Sequence, residues 1–279
     1  MAYHVLDNGG ADQTRKRVTV RDLAKMKAQG TKIPTATAYD ALTAAIADEA
    51  GIMLLLVGDS AGNTVLGYDN TIPVTLEESL MLTAAVRRGA PHAMVVGDMP
   101  FMSYQLSPEQ ALANAGRYLK ETGADAVKLE GGRLMNPTIR RLVDAGIPVF
   151  AHIGLLPQSV LRDGGYRLHG KSDDEARQLL DDALAIQEAG AFAVVLEGIP
   201  AELSRQLTAA LDIPTIGIGA GPYTDGQIQV TPDILGLTTG FLPRHAKRFA
   251  NLAETMRDAF KAYITQVQDG SFPGPENYR

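Results

Sequence analysis

The chain contains no cysteine, which excludes disulfides, thiolate metal sites and thiol nucleophiles. Histidine is scarce, with 5 in 279 residues, so any cation site must draw mainly on oxygen donors, and structural zinc is disfavoured. Long apolar runs are missing. The longest, residues 52–57, falls far short of the roughly 20 residues that span a bilayer. Residues 1–11 lack the apolar stretch of a secretory signal, which leaves a cytosolic location as the expectation. An excess of basic residues is also missing. Lys and Arg number 26 against 32 Asp and Glu, for a net charge of -6, and this argues against a nucleic-acid or anionic-membrane surface. Finally, no Gly-rich phosphate turn follows the first apolar strand. Ala38-Tyr39-Asp40 stands there instead, which weighs against a dinucleotide-binding doubly wound sheet.

What is present is a repeated two-beat rhythm. Short β-rich runs at 33–38, 53–59, 93–98, 124–129, 148–153, 191–197 and 214–218, with a poorer eighth at 234–237, read as strands. They are separated by stretches of helical periodicity at 42–50, 76–88, 108–122, 137–144, 173–189 and 201–211. Several of these stretches end in Ala-Gly or Gly-Ala, as at Ala50-Gly51, Gly89-Ala90, Gly123-Ala124, Ala145-Gly146 and Ala189-Gly190, where glycine closes a helix in the left-handed conformation. No linker interrupts the series. The pattern predicts an α/β fold, a single-domain (β/α)₈ TIM barrel over residues 18–268 with a short N-terminal helix near 20–29. A flexible arm at 1–17 and a Pro/Gly-rich tail at 269–279 flank it, after a last long helix at 248–268.

Ionisable residues cluster where the apolar runs end. Asp59-Ser60, Asp98, Lys128 with Glu130, His152 and Glu197 each follow such a run. In a parallel barrel these ends emerge on one face, and charges gathered there need a counter-ion or a catalytic task. Asp59 and Asp98, at neighbouring strand ends, suit a hard cation, which takes one or two carboxylates and completes its shell with water and substrate. Each alone could instead cap a helix or close a turn. Lys128 and Glu130 are two apart and so point the same way. Lys128 suits neutralisation of a substrate carboxylate better than a Schiff base, and Glu130 suits a metal-bound water. Glu197 is the candidate general base. His152 is open between a substrate contact and a satisfied core histidine. Gly217-Ile-Gly-Ala-Gly221 is a weak anion-loop candidate, and Gly164-Gly165-Tyr166 lies in a long loop flanked by Arg162, Arg167 and Lys171.

Taken in order, these segments resemble the ketopantoate hydroxymethyltransferase family. The resemblance is carried by Thr37-Ala-Tyr-Asp40, Val57-Gly-Asp-Ser60, Gly67 through Pro73-Val-Thr75, Arg87-Arg-Gly-Ala-Pro91 and Asp98-Met-Pro-Phe101. It continues through Val127-Lys-Leu-Glu-Gly-Gly132, His152-Ile-Gly-Leu155, Pro157-Gln-Ser159, Gly164-Gly-Tyr166, Leu196-Glu197 and Asp225-Gly-Gln-Ile228. It implies Mg²⁺ held by Asp59 and Asp98 with Glu130 in the metal site. It also implies 3-methyl-2-oxobutanoate contacted by Asp59, Ser60, Asp98 and Lys128, and Glu197 as proton acceptor; His152 is placed with these substrate contacts on its strand-end position alone. The one-carbon donor would be 5,10-methylenetetrahydrofolate, whose contacts the resemblance does not assign. The product would be 2-dehydropantoate, made in the cytoplasm at the first step of pantothenate synthesis by a homo-oligomer, often a decamer. Leu156 and the segment 242–247 depart from the family pattern. Two other readings are carried forward: a lyase or mutase like the phosphoenolpyruvate mutase and isocitrate lyase barrels, and a barrel kept only as a binding subunit.

Overall fold

A computed structural model describes residues 15–279. The arm expected at 1–17 therefore lies outside the described residues except for 15–17. Residues up to Gln229 form one compact unit, and Val230–Arg279 form a second. The first contains eight parallel strands, β1 (Ile33–Thr37), β2 (Leu54–Val57), β3 (Met94–Asp98), β4 (Ala126–Glu130), β5 (Val149–Gly154), β6 (Ala193–Glu197), β7 (Thr215–Ile218) and β8 (Gly226–Gln229). They pair in sequence order, and β8 closes onto β1 through Ile33↔Gly226 and Thr35↔Ile228. The fold class is the expected (β/α)₈ barrel. No helix among the described residues is long and apolar enough to cross a membrane.

The eighth strand is a correction. It was expected at 234–237, but those residues lie in and just after a short helix, Thr231–Leu235, with Pro232 in its first turn and Gly236 closing it in the left-handed conformation. The true β8 follows β7 after a link at 219–225 with no intervening helix. Its sequence, Gly-Gln-Ile-Gln, reads as a polar turn, yet it pairs because β8 lies close against β1. A Cβ on Gly226 would stand 2.4 Å from the carbonyl oxygen of Ile33. Residues 252–269, in the second unit, form the long helix expected at 248–268.

Two apolar layers follow from strand alternation. Leu54 and Leu56, Met94 and Val96, Phe150, and Ala193 and Val195 fill the barrel interior. Val127 and Leu129, Val149 and Ala151, and Val194 and Leu196 face outward and pack with Ile139, Leu142, Ala183, Ile186 and Leu207 of the surrounding helices. The helices begin where the sequence offers caps. Asp40 accepts from the Thr43 N–H at 2.8 Å, Thr75 and Glu78 form a capping box, and Ser107 and Ser172 cap Pro108–Arg117 and Asp173–Glu188. The expected glycine stops hold at Gly51, Gly123, Gly146 and Gly190, all at positive φ. Gly89 differs. It is helical, and its bare Cα admits Ala41, whose carbonyl oxygen would overlap a Cβ.

The stretch expected as one helix at 108–122 ends in a π-turn at Tyr118–Thr122. That turn presses the Tyr118 ring on β3, where a Cβ on Gly97 would stand 2.3 Å from Cδ1. The Tyr118 hydroxyl donates to the Asp98 carbonyl at 2.7 Å, and the Ser79 hydroxyl lies 2.9 Å from the same carbonyl. This packing fixes the end of β3. Gly97→Ala is expected to destabilise the fold by about 1–3 kcal/mol through overpacking, seen as a lower denaturant midpoint. An unchanged midpoint would mean that the β3–Tyr118 contact is slack.

Candidate active site

Strand register assembles the site. Residues 94 and 96 of β3, 126 of β4, 150 of β5 and 193 and 195 of β6 face the barrel interior. By alternation Asp98, Lys128 with Glu130, His152 and Glu197 face it too, at the carboxyl ends. Asp98 pairs in register with Lys128, and Glu130 with His152. Asp59 comes from the turn just past β2. Five side chains of the predicted site, those of Asp59, Asp98, Lys128, Glu130 and His152, are buried.

Lys128 is the centre of charge. Its ammonium donates to both oxygens of Asp98 at 2.9 Å and to Glu130 Oε1 at 3.4 Å. Burial favours the neutral amine, but the carboxylates of Asp98, Glu130 and Asp59 outweigh it and hold the group charged, well above its ordinary pKa. Burial would likewise raise Glu130, yet the Lys128 and His152 charges hold it below the usual carboxylate range. Asp59 has less compensation. Burial, with the adjacent Asp98 charge, pushes its carboxyl up to about 8. The backbone N–H of Asp59 donates to Asp98 Oδ2 at 3.1 Å, so the two carboxylates are held side by side. Neither caps a helix: Ser60 is the first-turn boundary of Ala61–Thr64.

His152 is not a satisfied core histidine. Neither of its ring nitrogens has a hydrogen bond of good geometry. Nδ1 stands 3.5 Å from Glu130 Oε1, and Nε2 stands 3.2 Å from Glu197 Oε2. Burial and the Lys128 charge favour the neutral ring, but the two carboxylates prevail and raise it to about 9. A buried imidazolium with orphaned donors is poised for a ligand. Glu197 is less enclosed than its neighbours, with its side chain 19% exposed, and it caps nothing. Ser60 is held to Tyr39 by a hydroxyl pair at 2.8 Å. The glycine run at 217–221 is used in packing: a Cβ on Gly217 would stand 2.6 Å from Thr224 Oγ1.

Sequence reading gave no role to Gln158, which ties the acids together. Its amide nitrogen donates to Asp59 Oδ2 and to the Met99 carbonyl, both at 3.0 Å. Its amide oxygen accepts from the Tyr104 hydroxyl at 2.8 Å and from Gln105 at 3.1 Å. Its backbone N–H donates to Glu130 Oε2 at 3.1 Å. With donors and acceptors all engaged, the amide cannot flip without breaking the set. Gln158 lies in a 3-10 turn, Pro157–Ser159, in the loop after β5, and Tyr104 lies in the loop after β3. Neither has a periodic signal, although Gln158 falls within the quoted Pro157-Gln-Ser159.

The cation-ligating groups are all oxygen: three buried carboxylates, set against the Lys128 ammonium and the His152 imidazolium, with the Asp59 carboxyl pushed up to about 8. That chemistry fits a hard divalent cation at Asp59 and Asp98. Among the described residues, no three His, Asp or Glu side chains already converge as a metal cage, so much of the shell would come from water and substrate. Beside the cluster, a cavity of about 480 Å³ shares Glu130 and Gln158 with it.

Residues 17–275 match the family described as ketopantoate hydroxymethyltransferase. A 3-methyl-2-oxobutanoate hydroxymethyltransferase from Chloroflexus aurantiacus is 56% identical over 261 residues, covering 94% of this chain and 92% of that protein. One from Streptomyces coelicolor is 56% identical over 262 residues, covering 94% and 90%. Among solved structures, a phosphoenolpyruvate phosphomutase from Streptomyces platensis superposes with a TM-score of 0.60 at 16% identity, covering 90% of this chain and 88% of that one. A 2,3-dimethylmalate lyase superposes at 0.58 with 20% identity, covering 91% and 89%. At such identity these structures show the fold alone. The chain belongs to the ketopantoate hydroxymethyltransferase family of barrel enzymes.

Proposed function

We propose that the chain transfers a hydroxymethyl group from 5,10-methylenetetrahydrofolate to 3-methyl-2-oxobutanoate, giving 2-dehydropantoate. The observation that carries the reading is the buried cluster of Asp59, Asp98, Lys128 and Glu130 beside His152 and Glu197. It offers cation ligands, a fixed positive charge and a partly accessible base within one barrel mouth. Asp59 and Asp98 would hold Mg²⁺, with Glu130 reaching it through water. When bound, Mg²⁺ supplies Lewis-acid stabilisation of charge on the 2-oxo group, worth several kcal/mol.

Lys128, Ser60 and His152 orient the 2-oxo acid by its carboxylate and keto oxygens. Lys128 also counters the burial that raises the Asp98 carboxyl, and with His152 holds Glu130 low. Glu197 takes the proton from C3, leaving the enolate. C3 then bonds to the one-carbon unit, whose bonds to the folate nitrogens break. Water supplies the hydroxyl. Its remaining proton and the one held by Glu197 return to those nitrogens, which leaves tetrahydrofolate. The resemblance also implies a cytosolic homo-oligomer, and we adopt that as part of the proposal.

Removal of the C3 proton needs no folate, so it can be followed alone. Glu197→Gln is expected to lower exchange of the C3 proton with D₂O by about 10²–10⁴-fold, while calorimetry shows the 2-oxo acid and Mg²⁺ still binding. Exchange at the parent rate would remove Glu197 from its role.

Asp59 retains its proton up to about pH 8, so an incoming cation must displace it. Mg²⁺ affinity is therefore expected to rise as pH goes from 6 to 8, with proton release detectable by calorimetry in buffers of different ionisation enthalpy. In the cation-free protein the sign is opposite for stability. A carboxyl raised from 3.8 to about 8 makes folding less favourable as pH climbs through that window, so Mg²⁺ should raise the melting temperature more at pH 8 than at pH 6. A cation affinity flat across this range would refute the assignment of Asp59. Gln158→Leu is expected to weaken Mg²⁺ binding by about 10–100-fold, as loss of an outer support does. Parent-like affinity would reduce Gln158 to packing.

A further inference from the structure

The 480 Å³ cavity is not needed for a small branched 2-oxo acid, whose reacting groups belong with the acid cluster. It lies between the loops that follow β4 and β5 and the helix Asp173–Glu188. Its size falls in the range that encloses a multi-ring ligand. One wall is Glu130 and Gln158, and Gln158 bonds both Glu130 and Asp59, so a ligand seated here abuts the reaction centre. Met135, Leu156 and Leu179 supply apolar surface. Asp182 is an inner carboxylate: its Oδ1 accepts from the Arg133 N–H at 3.0 Å and stands 3.8 Å from the Arg133 guanidinium, which leaves Oδ2 as the oxygen open to a ligand's donor. At the rim, Arg162 and Arg167 are paired to Asp163 at 2.9 Å and Glu175 at 3.0 Å, with side chains 70% and 52% exposed.

We propose that this cavity is the seat of the one-carbon donor, taking a pterin-type ring between its apolar walls and leaving the anionic tail at the arginine rim. The inference rests on the hydroxymethyl-transfer reading. A pterin presents two flat apolar faces, an edge of N–H donors and, through its tail, carboxylates. The apolar walls match the faces, Asp182 matches the donor edge, and the exposed guanidinium groups match the tail. The shared wall places the methylene-bearing nitrogens on the side of Glu130 and Gln158, toward the 2-oxo acid. Nothing comparable is required by the proton-removal step, and this separates the two halves of the reaction experimentally.

Two exposed lining residues supply the variants. Leu134 is 84% exposed, so Leu134→Trp adds bulk to the cavity wall with little demand on folding, and Arg167→Glu reverses charge at the rim. For each variant, three quantities are compared with the parent: C3-proton exchange of 3-methyl-2-oxobutanoate in D₂O, the KM for 5,10-methylenetetrahydrofolate in hydroxymethyl transfer, and calorimetric affinity for tetrahydrofolate. Both variants are expected to raise the donor KM and weaken tetrahydrofolate by about tenfold or more, and to lower transfer at limiting donor far more than exchange. If both leave donor KM and tetrahydrofolate affinity within twofold of the parent, the donor sits elsewhere and the inference falls. If the parent itself shows no exchange, the hydroxymethyl-transfer reading fails, and tetrahydrofolate calorimetry decides the cavity separately: binding weakened in both variants upholds it, and no binding to the parent overturns it.

Discussion

The ammonium of Lys128, buried against Asp98 and Glu130, is the interaction on which the barrel mouth depends. Three carboxylates could not be packed at the ends of three neighbouring strands without a cation to offset them, because ionised groups out of water are costly unless paired. The Lys128 ammonium and the His152 imidazolium set two positive charges against these three. The remaining deficit falls on Asp59, which responds by holding a proton to about pH 8. The protein thus builds a site that is one positive charge short. A divalent cation can remove that shortfall, and the proton on Asp59 removes it in the cation's absence.

The arrangement is fixed by layers of ordinary packing around it. Alternation directs Lys128, Glu130 and His152 inward between Val127, Leu129 and Ala151, which face the helices. The π-turn at Tyr118 pins the carbonyl of Asp98 from outside the barrel, while Gln158 and Tyr104 brace Asp59 and Glu130 from the rim. Truncating one member of such a network leaves a buried charge without its partner, which costs more than the contact itself is worth. A site held this way has little freedom to relax, and that is the condition for electrostatic catalysis in a barrel mouth.

The fold does not select the chemistry. A phosphoenolpyruvate phosphomutase and a 2,3-dimethylmalate lyase share this barrel at 20% identity or less, and barrels of one shape host many reactions through their rim residues. The lyase-or-mutase alternative therefore draws no support from shape. What separates the families is sequence: relatives more than half identical across nearly the whole chain, and a match to the family from residue 17 to 275. A subunit kept only for binding would have no reason to keep a costly buried cluster.

The sequence by itself determined most of the barrel and the main acids. Seven of the strand positions, the capping residues Asp40, Thr75, Ser107 and Ser172, and the inward direction of Lys128 and Glu130 all follow from local rules, because helix and strand periods, turn chemistry and side-chain alternation act over a few residues. The tertiary structure alone decided the rest. Strand β8 is polar and glycine-bearing, and it becomes a strand only because β1 and β7 stand beside it. Gln158 and Tyr104 acquire meaning only where loops from different strands meet, and His152 becomes an imidazolium between Glu130 and Glu197 only once β4, β5 and β6 are in register. Hydrogen bonds and charge coupling act through space, between residues as far apart in sequence as Asp59 and Gln158, and no local pattern records which of them will meet.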